Sequence, residues 1–99
     1  MTPSRPFTGA WIETGHGCAN ALAVARGLLA EGEVIGAILG LTVHIAAEPG
    51  FAAHSGLADH ASTYLREELG PQGIGARAAV GVATLPGNAP VEIQIVAAV

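Results

Sequence analysis

The longest apolar stretch of the chain constrains its fold more than any other feature. It covers residues 34–47, and only Thr42 and His44 place polar side chains in it. Fourteen residues are too few to span a bilayer, which needs about 20. A run rich in Ile, Leu and Val, bounded by a glycine and by a Pro-Gly turn, is typical of a buried strand. We therefore predict a strand over residues 36–47, covered on both faces or nearly so. Its two faces would carry Leu41, Val43 and Ile45, and Thr42, His44 and Ala46.

Helical periodicity flanks this strand on both sides. A first helix is predicted over residues 15–30, with Thr14 as its N-cap and Gly32 at its end. A second helix is predicted over residues 51–69, because Gly70-Pro71 stops it. Helical spacing predicts buried stripes formed by Cys18, Leu22, Ala25, Leu29 with Ala21 and Leu28 alongside, and by Leu57, Ala61, Tyr64, Leu65 and Leu69.

Two further strands are predicted near the C-terminus, over residues 76–84 and 90–98, joined by a turn with Pro86, Gly87 and Asn88. Residues 8–13 are compatible with a short strand ahead of the first helix. The element order is then α-β-α-β-β in one domain of 99 residues. This order fits an α+β fold or a small α/β sandwich.

Composition excludes several functional classes. The chain is 51% hydrophobic and 12% charged, which argues against intrinsic disorder and predicts contact with another subunit. Its net charge is −4 and its four arginines are scattered, so we expect no nucleic-acid partner. The single cysteine excludes a disulfide framework, and the start of the chain has no signal-like apolar segment. We expect a cytoplasmic protein with no membrane partner.

Familiar catalytic motifs are missing from the sequence, including GxGxxG, Walker A, HExxH and GxSxG. The four histidines are dispersed, so we predict no metal site. Two charges stand out: Arg77 opens an apolar strand, and Glu92 lies inside the last one. Both could reach solvent at strand ends or pair with each other. The functional interpretation is an arginine that binds a carboxylate, beside a glutamate that orients water.

Three other residues have a structural interpretation. Gly81, in the middle of a strand, would permit a bulge or the close approach of another backbone. Cys18 is expected to be a small buried residue, and His44 a hydrogen-bonded core histidine.

The C-terminal third resembles the RidA/YjgF family of imine deaminases, formerly catalogued as L-PSP endoribonucleases. The resemblance is carried by the runs ARAAVGVATLP from Ala76 and APVEI from Ala89. Weaker similarity lies in the first helix at Asn20-Ala21-Leu22, in the strand at residues 42–45, and in the second helix at Asp59, Ala61 and Ser62. Together these segments cover roughly residues 13–99.

The resemblance implies a chorismate-mutase-like α+β sandwich, with two helices on one face of a mixed sheet, and a homotrimer with clefts between subunits. It implies that Arg77 binds a substrate carboxylate and that Glu92 orients the attacking water. Ala79 and Gly81 would line the substrate site. The substrates would be 2-imino or 2-enamino acids, hydrolysed to 2-oxo acids and ammonia without a cofactor.

The chain departs from the family at three places, one of which is Ile74, where the closest branch often has a histidine. Ala79 stands where many members have a cysteine, and the strand pair that begins the family domain is largely missing. Such a domain could instead be a non-catalytic module that binds a small carboxylate or a protein partner. Endoribonuclease activity is a third interpretation, which the acidic charge disfavours.

Overall fold

The computed structural model of the chain describes residues 10–99, with side chains from Thr14 onward. Two helices and three strands make up most of it, and two short 3-10 turns precede β2 and β3. In chain order the elements are α1 (Ala10–Gly27), β1 (Ala37–Ala46), α2 (His54–Leu69), β2 (Ala76–Val82) and β3 (Val91–Ala98).

The three strands form one mixed sheet in the order β2-β1-β3. β1 pairs in parallel with β2, and α2 provides the crossover that a parallel pair requires. β1 pairs antiparallel with β3 on its other side. The short connection between β2 and β3 therefore passes over the end of β1. Both helices pack on one face of this sheet, α1 over β3 and α2 over β1 and β2. The domain is therefore a small α+β fold with two helices on one side of a mixed sheet.

The side chains of Leu41, Val43 and Ile45 share one face of the central strand, as the sequence predicts. All three point toward the helices and are buried. An irregularity between Ile38 and Gly40 inserts one extra residue, Leu39, opposite β3. This bulge shifts the alternation, so that Ile38 is buried although it lies an odd number of residues from Leu41.

The prediction that both faces of β1 are covered is wrong for the single chain. Thr42, His44 and Ala46 are half-buried, and none of the described helices packs on their side. The same face carries two exposed valines, Val80 of β2 and Val96 of β3. The sheet thus has one face in the core and one face without cover from residues 10–99.

The first helix differs most from its prediction. It includes residues 10–13, which are helical and not a strand; Thr8 and Gly9 lie outside the described residues. Thr14 is fully buried within α1 and is not its N-cap. The helix ends at Gly27, and Gly32 instead supplies a positive φ of 82° in the following turn.

The core forms between the helices and the inner face of the sheet. Its largest fully buried side chains include Leu22 of α1, Ile45 of β1 and Leu65 of α2. The predicted stripe of α1 is confirmed at Cys18 and Leu22 and is wrong at Leu28, which lies beyond the helix with 82% of its surface exposed. Burying aliphatic side chains of this size contributes about 1.5–3 kcal/mol each.

Candidate functional site

Arg77 lies at the edge of the sheet, on the side that carries the helices. It is the second residue of β2, and its neighbour across the parallel pair is the buried Leu41. Its Nη1 donates one hydrogen bond to Oδ1 of Asp59 over 2.7 Å and another to Oγ of Ser62 over 3.1 Å. An arginine on the apolar side of a strand therefore finds its partners on α2.

The periodicity of α2 explains why two polar groups meet the guanidinium. Asp59 and Ser62 lie three residues apart, which places them as neighbours on one side of a helix. Ala58 and Ala61 are fully buried and anchor the adjacent side of α2 on the core. These small residues let the helix lie close to the sheet, so the short Asp and Ser side chains reach β2.

The hydrogen bonds of Arg77 use only one of its three nitrogens. Nη1 has two hydrogens, and Asp59 and Ser62 accept them. Nε and Nη2 form the side-on edge of the guanidinium, the geometry that binds a carboxylate through two parallel hydrogen bonds. Among the described residues, no protein group accepts from that edge.

The pair of Arg77 and Asp59 is partly open to solvent. The Arg77 side chain retains 28% of its surface and that of Asp59 retains 66%. An ion pair of this exposure contributes less than about 1 kcal/mol to stability. Its chemical importance lies in orientation, because a guanidinium held at one nitrogen presents its other edge in a defined direction.

The two small residues predicted to line a substrate site follow Arg77 on the same face of β2. Ala79 pairs with Val43 and is half-buried against the core. Gly81 pairs with Ile45, and its missing side chain makes room for His54 of α2. A β-carbon on Gly81 would lie 2.6 Å from Nε2 of His54. The glycine thus accommodates a side chain and not another backbone.

Glu92 lies on the other face of the sheet. It is the second residue of β3 and pairs with His44, three residues beyond the partner of Arg77 along β1. With strands about 4.8 Å apart and a rise of about 3.3 Å per residue, the two Cα atoms are separated by about 14 Å. Arg77 and Glu92 of one chain therefore do not pair, and they cannot share one site.

His44 and Glu92 border a groove of about 590 Å³ between α1 and β3. Nδ1 of His44 lies 3.2 Å from the backbone oxygen of Glu92, a hydrogen bond that holds the ring against β3. The groove is otherwise apolar on its helical side, where it is lined by Ala21, Val24, Ala25 and Leu28. His44 is a hydrogen-bonded histidine, as predicted, but it belongs to the open face and not to the core.

Sequence reasoning did not identify Asp59 and Ser62 as site residues, although both belong to segments that resemble the family. The local signal is a polar pair at spacing i, i+3, beside two buried alanines on the same helix. It cannot predict the contact with Arg77, because residues 59 and 77 meet only through the packing of α2 on β2.

Cys18 is fully buried, and its thiol donates to the backbone oxygen of Ala61 over 3.6 Å. Burial raises the pKa of this thiol from 9.0 to about 11, which keeps it protonated and unreactive near neutral pH. Within residues 10–99, no group of three His, Cys, Asp or Glu side chains is arranged to hold a metal ion. Neither described helix is long and apolar enough to cross a membrane.

The chain is similar to a protein of known structure. No family model matches the chain, and no curated protein matches its sequence. A solved structure, that of the protein Atu1372 with unknown function from Agrobacterium tumefaciens, is 33% identical and superimposes with a TM-score of 0.84. The similarity covers 90% of this chain and 57% of that one. The chain is thus similar to a little more than half of a larger protein whose function is unknown.

Proposed function

We propose that this domain hydrolyses small 2-imino or 2-enamino acids to 2-oxo acids and ammonia, as the resemblance to the RidA/YjgF family implies. The observation that carries the proposal is the orientation of Arg77. Its Nη1 is held by Asp59 and Ser62, and its Nε–Nη2 edge is free to bind a planar carboxylate. Such a contact fixes the neighbouring C=N carbon, which is already electrophilic.

The role that the resemblance implies for Glu92 depends on assembly. Since Glu92 and Arg77 of one chain lie on opposite faces of the sheet, Glu92 can orient water at Arg77 only from a second subunit. Clefts between subunits are what the family resemblance implies.

A homotrimer of chorismate-mutase-like sandwiches is part of the same proposal. The uncovered face of the sheet supports it, since Val80 and Val96 expose 39% and 52% of their surfaces there. Apolar side chains on an uncovered sheet face favour association. We expect Val80→Glu to dissociate the assembly, whereas Val34→Glu, in the exposed turn after α1, leaves it intact. Molar mass by light scattering distinguishes the two.

The second candidate function is a binding module of the same fold without catalysis. The position of Glu92 favours it, because the residue to which the resemblance assigns the attacking water lies on the opposite face of the sheet from Arg77 of the same chain. A module of this kind would bind small carboxylates through Arg77 and show ligand-dependent stabilisation with no turnover.

The test is hydrolysis of 2-iminobutyrate generated in situ, with wild type, Arg77→Lys and Arg77→Ala. The deaminase proposal expects acceleration by wild type and its loss in Arg77→Ala. Arg77→Lys should also be impaired, because an ammonium group lacks the two-pronged edge. Folded wild type that binds 2-oxobutyrate through Arg77 without accelerating hydrolysis would support the binding module instead.

A further inference from the structure

Asp59 is the carboxylate that lies nearest to Arg77 within the described chain. It is the only aspartate in the sequence, and its Oδ1 accepts from Nη1 over 2.7 Å. With 66% of its side chain exposed, it keeps acceptor positions open to water or ligand. Glu92, by contrast, lies on the other face of the sheet.

We propose that Asp59 is the catalytic base of the imine hydrolysis, an inference that rests on the proposed function. Within one subunit, Asp59 takes the role of activating water that the family resemblance assigns to Glu92. The site is then complete in a single chain, formed by Arg77 of β2 and by Asp59 and Ser62 of α2.

The geometry of the guanidinium places the two partners at a useful separation. A substrate carboxylate on the Nε–Nη2 edge and Asp59 on Nη1 bind different sides of one planar group. With hydrogen bonds of about 2.8 Å, the two carboxyl groups are roughly 6 Å apart. That separation leaves room for one water between Asp59 and the carbon next to the substrate carboxylate.

The charges also match the protonated substrate. An iminium acid carries a negative carboxylate and a positive C=NH₂⁺ group at neighbouring carbons. Arg77 provides the cation for the first and Asp59 the anion for the second. The site therefore favours a zwitterionic imino acid over the 2-oxo acid product, which has only the negative charge.

The reaction balances with these residues and water alone. The water oxygen bonds to the iminium carbon as its proton passes to Asp59, and the π pair of C=N moves to nitrogen. Asp59 returns the proton to nitrogen, and the C–N bond breaks with its electron pair as ammonia leaves. That return regenerates the carboxylate of Asp59, and loss of the hydroxyl proton to solvent then gives the 2-oxo acid.

Ser62 is a positioning residue in this scheme. Its hydroxyl accepts from Nη1 over 3.1 Å and contacts neither the water nor the reacting carbon in the arrangement described. Removing it should loosen the guanidinium and weaken substrate binding, with little effect on the chemical step.

The experiment compares kcat and KM for 2-iminobutyrate in Asp59→Asn, Ser62→Ala and Glu92→Gln, with Glu67→Gln as the matched α2 control. Asn at position 59 still offers an oxygen to Nη1 but cannot accept the proton. We expect kcat of Asp59→Asn to fall about 10²–10⁴-fold with little change in KM. Ser62→Ala should raise KM alone, and Glu67→Gln should behave as wild type. Circular dichroism and Tm confirm that each variant is folded.

Three results would overturn or relocate the assignment. A fall of less than about tenfold in Asp59→Asn excludes Asp59 as the base. If Glu92→Gln loses kcat while Asp59→Asn keeps it, the base is Glu92 of a second subunit and the deaminase proposal stands. If wild type does not accelerate hydrolysis at all, both proposals fail together.

Discussion

The imidazole of His54 occupies the space that a side chain on Gly81 would fill. Its Nε2 lies 2.6 Å from the position of a β-carbon on that glycine. The ring also meets Phe51 edge to face, with centroids 5.0 Å apart. The first residue of α2 thus packs directly on β2 at Gly81, which has no side chain and lies four residues after Arg77.

Gly81→Ala should displace His54 and weaken the contact with Phe51. Overpacking of this kind costs about 1–3 kcal/mol, and we expect the lower end because the clashing atom is the tip of a side chain. The free energy of unfolding, from urea denaturation, measures the loss.

The matched control for Gly81 is the double variant Gly81→Ala/His54→Ala, in which the clash is gone. If Gly81→Ala costs the same with and without the His54 ring, the contact does not explain the effect. Gly73→Ala should be far more damaging than Gly81→Ala, because its β-carbon would meet the backbone of Leu65, which cannot swing away.

Leu22→Ala should destabilise the domain by about 2–5 kcal/mol, because this side chain is fully buried between α1 and the sheet. Leu28→Ala is the matched comparison, since the same deletion is made where 82% of the residue is exposed. Its effect should stay within about 0.5 kcal/mol. Equal losses of stability in the two variants would mean that Leu28 is buried, which would contradict the end of α1 at Gly27.

Stability should decline in alkaline solution through Cys18. Burial raises the pKa of its thiol to about 11 from 9.0, so above about pH 9 the unfolded chain releases this proton more readily than the folded one. The contribution of Cys18 to the free energy of unfolding is then constant below pH 9 and falls between pH 9 and about 11.

Cys18→Ala removes that contribution. Urea denaturation of wild type and Cys18→Ala at several pH values should show a steeper alkaline decline in wild type. Parallel curves would mean that the thiol titrates alike in both states. Alkylation by iodoacetamide near neutral pH should likewise require unfolding.

Asp59→Ala should change stability by less than about 1 kcal/mol, because 66% of the Asp59 side chain is exposed in its ion pair with Arg77. Thermal unfolding checks this, with Arg26→Ala as a comparison that breaks the exposed pair with Glu68, whose atoms are 3.6 Å apart. A large loss in Asp59→Ala alone would assign the Arg77–Asp59 pair a structural role.

Periodicity was sufficient to predict the strands and the second helix, since each buries a face that repeats every two or every 3.6 residues. It failed at the start of α1, where residues 10–13 are helical. A segment this short shows too few repeats for its periodicity to distinguish a helix from a strand. It also failed at Leu28, because the helix ends at Gly27 and the stripe does not continue past it.

The residue pattern was enough to predict the element order, the two sets of side chains that share the faces of β1, the burial of Cys18 and the unusual charge of Arg77 on an apolar strand. The contact of Arg77 with Asp59 and Ser62, and the position of Glu92 on the opposite face, follow only from how the elements pack in three dimensions. The physical reason is that alternation along one strand is local, whereas the face shared by two strands depends on their pairing register. The partner of Arg77 depends further on where α2 crosses the sheet, and that crossing is set by the packing of the whole core.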